Sequence, residues 1–351
     1  MSRILYYAYN NQRPSGGQKQ TYRHVDILNA AGCEAYVVHE SAGYRLNWFQ
    51  NSTRVIDRAR LNRMLNADDI VVLPETLGPA LSLYPCRKVT FNKGLYIGYG
   101  SQPIFRSAAD PFRSPGVVAM FAVGEHNRRN LVYGYPDLPV IDVGVGVDAS
   151  RFRFAALSDK QLTIACVAKA QNALHTVCGL LRARLAHFRV PQPHFVLLRG
   201  MSETEVASVL HRSLALLMLN HEEGLPQTVV EAVLSGCIIV APAIGPLAEF
   251  VPRAGWFQPG EPAEAAAFLM SLIVDHPKHS IAVRQHLSEN GRVAQRYACK
   301  FEAERVLDAW DTVLSLSASV GEPLPKVWPA DPCPPLATRI RQRLLSTRVV
   351  F

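Results

Sequence analysis

Apolar positions along the chain alternate between two periods. Residues 4–8 (ILYYA) form a short β-rich run and residues 10–17 (NNQRPSGG) are dense in turn formers. Residues 18–31 then carry Tyr22, Val25 and Leu28 at helical spacing, with Gly32 placed to end the helix. A second β-rich run, Ala35–His39, follows at once. A strand, a helix and a strand in such close succession form a βαβ unit, which commits both strands to a parallel sheet. The alternation continues with strands predicted at 69–73, 88–91, 117–123 and 140–143 and a helix at 127–134. After Phe154 the pattern restarts, with strands at 162–168, 194–198, 214–219 and 237–241 and helices at 173–187, 203–211 and 227–234. Helical patterns dominate residues 264–314.

Two consecutive βα series predict an α/β protein with two Rossmann-like halves. The expected division is 1–153 for the first half and 154–300 for the second, with the junction near residues 147–156 (VDASRFRFAA). A helix over 301–316 could cross back to the first half, and residues 317–351 form a tail. The halves share no sequence repeat.

Composition excludes several alternatives. Of 351 residues 48% are hydrophobic, enough for packed cores, so disorder is excluded for most of the chain. No apolar run approaches the ~18–20 residues of a membrane span. The first apolar stretch is too short for a signal peptide, so a cytoplasmic location is expected. Seven cysteines, Cys33, Cys86, Cys166, Cys178, Cys237, Cys299 and Cys333, are odd in number and scattered. They read as reduced core thiols rather than a disulfide framework or a zinc cage.

The net charge of +8, from 37 basic and 29 acidic side chains, suits nucleic acid, an anionic membrane or a phosphorylated small molecule. The basic residues are scattered, and no helix-turn-helix, zinc or aromatic-basic motif appears, which disfavours nucleic acid. At the C-terminal end a Pro-rich segment (321–335) precedes Arg339, Arg341, Arg343 and Arg348, set around Ile340, Leu344 and Leu345. That stretch is either an amphipathic helix making peripheral membrane contact, or a solvated tail or a strap packed on the body.

Residues 219–249 (LNHEEGLPQTVVEAVLSGCIIVAPAIGPLAE) are the most informative. A buried strand ends near Leu219 and a polar loop leaves its C-terminal end, where open α/β sheets bind ligands. Pro226 suits the first position of a helix, and the free N–H groups of Gln227 and Thr228 would face the loop and favour an anion such as phosphate. Gly224 lets the backbone approach a ligand closely. Glu223 in the loop and Glu231 in the helix flank this anion site, and each carboxylate can accept two hydrogen bonds from a sugar diol. These elements together describe a nucleotide-sugar site. An ordinary loop acid and a solvated helix residue would produce the same pair of glutamates.

Taken in order, Glu223-Gly224-Leu225-Pro226, Glu231-Ala232, Ser235-Gly236, a β run and then Gly245 through Glu249 resemble the retaining GT-B glycosyltransferases, especially the large family four. Seven residues separate the two glutamates, as in that family. Gly16-Gly17 before a helix that leads into Ala31-Gly32-Cys33-Glu34-Ala35 is similar to the family's Gly-Gly loop and strand entry, and residues 143–152 (VGVGVDASRF) resemble the end of its first domain. The resemblance spans most of residues 1–316 and is strongest in the second half.

The resemblance implies the GT-B fold, in which two Rossmann-like parallel-sheet domains face each other across a cleft. It implies that Glu231 binds the ribose of a nucleotide-diphosphate sugar and that Glu223 contacts hydroxyls of the transferred sugar. Backbone at Gly224, Leu225, Pro226 and Gln227 would meet the diphosphate, with Gly16 and Gly17 approaching from the other domain. The acceptor would be a saccharide or a lipid-linked hydroxyl, the product a polysaccharide or glycoconjugate. Neither a metal nor another cofactor is expected, and the chain has no Asp-x-Asp.

Two departures from the family pattern matter. The family places an Arg and a Lys after the first strand of its second domain to neutralise the leaving diphosphate, and here only Lys169 is available, making it a catalytic candidate. Where the family often carries a His, after the fourth strand of its first domain, this chain has Phe91-Asn92-Lys93-Gly94. Asn92 or Lys93 could serve there, whereas His126 and His221 read as loop residues. These losses leave room for a nucleotide-sugar epimerase on the same fold, or for a non-catalytic binding protein that has kept it.

Overall fold

The computed structural model describes residues 2–66, 68–84, 86–100, 102, 110–167, 169–249, 251, 255–274 and 281–317. The Pro-rich segment and the basic Arg339–Arg348 stretch, Cys333 included, lie outside the described residues.

Among the described residues the first half is built on seven parallel strands: β1 (Ile4–Tyr7), β2 (Ala35–His39), β3 (Val55–Asp57), β4 (Ile70–Pro74), β5 (Arg87–Asn92), β6 (Val117–Ala122) and β7 (Val140–Asp142). Their spatial order is β3-β2-β1-β4-β5-β6-β7, the doubly wound order that reverses between β1 and β4. Helices α1 (Gly16–Ala30), α2 (Arg58–Met64), α3 (Leu95–Gly100) and α4 (Glu125–Gly134) connect the strands. Strand β4 (IVVLP) is buried from end to end, as a central parallel strand covered on both faces should be.

The described residues of the second half form five parallel strands: β8 (Gln161–Val167), β9 (His194–Leu198), β10 (Ser213–Leu217), β11 (Ile238–Pro242) and β12 (Gly255–Phe257). Their order, β12-β11-β10-β8-β9, follows the shorter doubly wound scheme and reverses between β8 and β10. Its helices are α5 (Gln171–His187), α6 (Glu203–Arg212), α7 (Gln227–Leu234), α8 (Gly245–Ala248), α9 (Pro262–Val274) and α10 (Ile281–Ala294). Helix α7 buries Val229, Val230, Ala232 and Val233 and stops at Gly236, whose φ is +78°. A Cβ there would stand 2.6 Å from the Ala155 carbonyl oxygen, so both the turn and the packing require glycine.

The last helix, α11 (Cys299–Ser317), packs on α1, β6 and β7 of the first half. Trp310 is its anchor. The indole is fully buried, lies edge-on to Tyr6 and Phe121, and donates from Nε1 to the Tyr6 hydroxyl at 3.0 Å. The Arg23 guanidinium meets the buried Glu302 carboxylate at 2.5 Å and donates to the Gly146 carbonyl at 2.9 Å. Next to this pair, Val147 forms a single parallel bridge with Ala298 and donates to the Tyr297 carbonyl at 2.7 Å. The two segments that pass between the halves therefore touch.

Several expectations shift by a few residues. Helix α1 starts at Gly16 rather than residue 18, so Gly16 and Gly17 form its first turn instead of a loop. Pro226 is the cap residue before α7, which begins at Gln227. Helix α4 begins at Glu125, which places His126 in a helical first turn and corrects its reading as a loop residue. His221 is exposed in the loop, as expected.

Candidate functional site

Both sheets present their C-terminal strand ends, and the loops after the strands at each reversal point, to the same region. In the first half these loops lead from β1 to Gly16-Gly17 and from β4 to Glu75. In the second they lead from β8 to Lys169 and from β10 to Glu223. Crevices at such reversal points are where open α/β sheets place ligands.

The two halves meet backbone to backbone here. A Cβ on Gly224 would overlap the Lys93 carbonyl oxygen and stand 3.2 Å from the Asn127 amide nitrogen. A Cβ on Gly16 would stand 2.5 Å from Oε1 of Gln227. Gly16 opens α1 and Gln227 opens α7, so the N-termini of two helices from different halves face each other. Neither helix has a side-chain cap, and neither has an acidic residue in its first turn. Two positive helix ends brought together without compensating acids repel, and an anion between them removes the repulsion. Leu225 is buried and closes the crevice against Gly124, with Cδ1 3.1 Å from where a Cβ would be.

The two glutamates differ in environment. Glu223 accepts from the exposed Lys169 ammonium at 2.5 Å and from the Asn220 amide at 2.7 Å, which fixes its carboxylate at the mouth of the loop. Glu231 lies one helical turn into α7 and is partly buried. Burial pushes its carboxyl up to about 7, against the pull of Lys19, and Glu203 adds to the rise. Lys19 comes from α1 and is itself ion-paired with Glu203, which also pairs with Arg151. Glu231 is thus reached by the field of a cation belonging to the opposite half.

The structure brings Gly16 to Gln227, Lys169 to Glu223, and Gly224 to Lys93. Sequence reasoning missed three further participants. Lys19 acts on Glu231 through its electrostatic field, Asn127 reaches Gly224, and Glu249 accepts from the Glu125 backbone N–H at 2.9 Å and from that of His126. Asn127 and Asn92 are both fully buried, and neither carboxamide has a hydrogen-bond partner among the described residues. Asn92 and Glu75 both pack against Gly98, where a Cβ would stand 3.0 Å from the Asn92 amide nitrogen and 3.2 Å from Glu75 Cγ, and Glu75 is buried with its carboxyl raised chiefly by desolvation. A local signal existed only for Glu249, which closes the Gly245–Glu249 part of the motif. Among the described residues no group of His, Cys, Asp and Glu is arranged to hold a metal ion, and no helix is long and apolar enough to cross a membrane.

No protein-family model and no curated protein matches the chain. Solved structures do. Anabaena HepE, solved with UDP and glucose, superposes with a TM-score of 0.64 at 13% identity, over 89% of this chain and all of that one. Sucrose-phosphate synthase from Thermosynechococcus elongatus gives 0.63 at 10% identity, over 90% of this chain and all of that one. The chain has the GT-B fold. A mutant of S. aureus TarM, solved with UDP and α-GlcNAc-glycerol, gives 0.62 at 9% identity, over 90% of this chain and all of that one. At such identities the likeness concerns the GT-B architecture alone, and the meaning of the site rests on its own residues.

Proposed function

We propose that the chain is a glycosyltransferase that moves a sugar, of hexosyl type, from a nucleotide-diphosphate sugar to a hydroxyl of a saccharide or lipid-linked acceptor. The observation that carries this reading is the meeting of two uncapped helix N-termini at Gly16 and Gln227, flanked by Glu223 and Glu231. Such a place suits a diphosphate with a carboxylate available to the sugar on either side. Two of the GT-B neighbours, HepE and TarM, were solved with UDP together with a sugar compound, which supports the same donor class.

In this reading Glu231 accepts from the ribose hydroxyls and Glu223 from hydroxyls of the transferred sugar. Backbone N–H groups of 224–227, with Gly16 and Gly17 opposite, hold the diphosphate. The bond from the anomeric carbon to the phosphate oxygen breaks while the bond to the acceptor oxygen forms on the same face. The acceptor proton passes to the departing phosphate, so configuration is retained and no dedicated base is required. The protein supplies positioning and electrostatic stabilisation of the leaving group. No metal enters the scheme, and the products belong to polysaccharide or glycoconjugate synthesis.

Calorimetry against a panel of nucleotide sugars tests the donor, and NMR of the glycosylated product tests retention. Conversion of a nucleotide sugar without acceptor would replace this reading by epimerisation. Absence of binding across the panel would leave a non-catalytic GT-B protein.

A further inference from the structure

The clamp expected after β8 holds one lysine, and that lysine is engaged: Lys169 is exposed and paired with Glu223 at 2.5 Å. A different cation lies at the meeting point. Lys93 is the first residue after β5. Its carbonyl touches Gly224 of the second half. Its stem runs beneath Gly17, where a Cβ would stand 2.7 Å from Lys93 Cδ. Its ammonium rests 4.3 Å over the Phe91 ring.

Resting on the reading above, we propose that Lys93 supplies, from the opposite domain, the phosphate-neutralising charge that the second domain lacks. No carboxylate of a described residue lies within 4 Å of the Lys93 ammonium. Glu75 faces it at longer range while accepting from the Lys93 backbone N–H at 3.0 Å. Burial already pushes the ammonium down from its ordinary value, so an arriving anion relieves a charge held at a cost. The positive ends of α1 and α7 meet beside the same stem. An ammonium whose stem runs under Gly17, beside two helix N-termini and with no carboxylate within ion-pair distance among the described residues, fits a dianionic group better than a structural salt bridge. A clamp built this way is complete only while the two domains are together, because Lys93 and Gly224 sit on opposite sides.

The test uses the full chain and UDP, GDP and ADP, with their nucleosides as controls. Lys93→Met should weaken binding of the preferred diphosphate by about tenfold or more, the scale of one charge-assisted contact, and leave nucleoside affinity unchanged. Lys93→Arg should restore most of the loss, and Lys169→Met should lose less than Lys93→Met. Lys93→Gln, which keeps a polar tip, serves as a second neutral variant. Circular dichroism and melting confirm that each variant is folded. Diphosphate affinity at the wild-type level in either folded neutral variant overturns the assignment, as does an equal loss for nucleoside and diphosphate. If the wild type binds none of the three diphosphates, the donor reading fails and takes this inference with it. Binding by the wild type with no effect of Lys93 removes the inference alone.

Discussion

The carboxylate of Glu249 caps a helix of the opposite domain, accepting the backbone N–H of Glu125 at 2.9 Å and that of the next residue as well. A cap of this kind is worth about 0.5–2 kcal/mol. Here the stabilisation belongs to the contact between domains rather than to one helix. Glu249→Ala should lower stability by about that amount in urea denaturation and enlarge the radius of gyration in small-angle scattering. A change in stability with unchanged scattering would reduce Glu249 to an ordinary cap.

Gly224 and Gly16 make a matched pair. A side chain at Gly224 collides with backbone, which cannot rotate away, whereas one at Gly16 meets only the flexible end of Gln227. Gly224→Ala should cost roughly 1–3 kcal/mol and disturb domain contact, while Gly16→Ala should cost well under half of that. Paired thermal melts of the two variants check the ranking.

Burial raises the Glu231 carboxyl to about 7, above its ordinary value of 4.5. The folded state then binds more protons than the unfolded one between those values, so stability falls as pH rises from about 4.5 to 7 and levels off above. Glu231→Gln should remove that slope. If the ionised carboxylate accepts ribose hydroxyls, donor affinity in the wild type should rise from pH 6 to pH 8 and stay flat in the variant. Stability curves at several pH values, with titrations of donor at the two extremes, give both readouts.

Glu231→Ala should weaken donor binding, and Glu223→Ala should depress turnover more than donor affinity. Lys169→Ala should slow transfer by about tenfold, the effect of ~1.4 kcal/mol lost from the transition state, because it also releases Glu223 from its 2.5 Å partner. Steady-state kinetics with the identified donor separate kcat from KM. Unchanged transfer in both glutamate variants would dismiss the site.

Glu302→Ala leaves the partly buried Arg23 guanidinium the Gly146 carbonyl but no carboxylate and should destabilise the chain by about 1–3 kcal/mol. Chemical denaturation measures the loss. Glu302→Gln should recover part of it by keeping an acceptor for Arg23.

Most of the fold was legible because its strands are uniformly apolar and its helices amphipathic. Residues 70–74 and 238–242 are buried throughout and advertise central parallel strands. Strand β3 has three residues, with Val55 and Asp57 partly exposed, and α2 has seven, too little of either period to register. At the site, Glu223, Gly224, Pro226 and Gln227 follow a local grammar of loop, proline and helix. Lys19, Lys93 and Asn127 have no such local signature. Their roles arise only when segments far apart in the chain are packed together, as the separation of 124 between Glu125 and Glu249 illustrates.

The bridge between Val147 and Ala298 has a mechanical meaning. The chain passes from one domain to the other and returns, and the two crossings are pinned side by side at that one bridge. A joint with two adjacent pins resists twisting and sliding but yields to bending. If the lobes separate, the bridge predicts a jaw-like swing about residues 147 and 298 that would part Gly16 from Gln227.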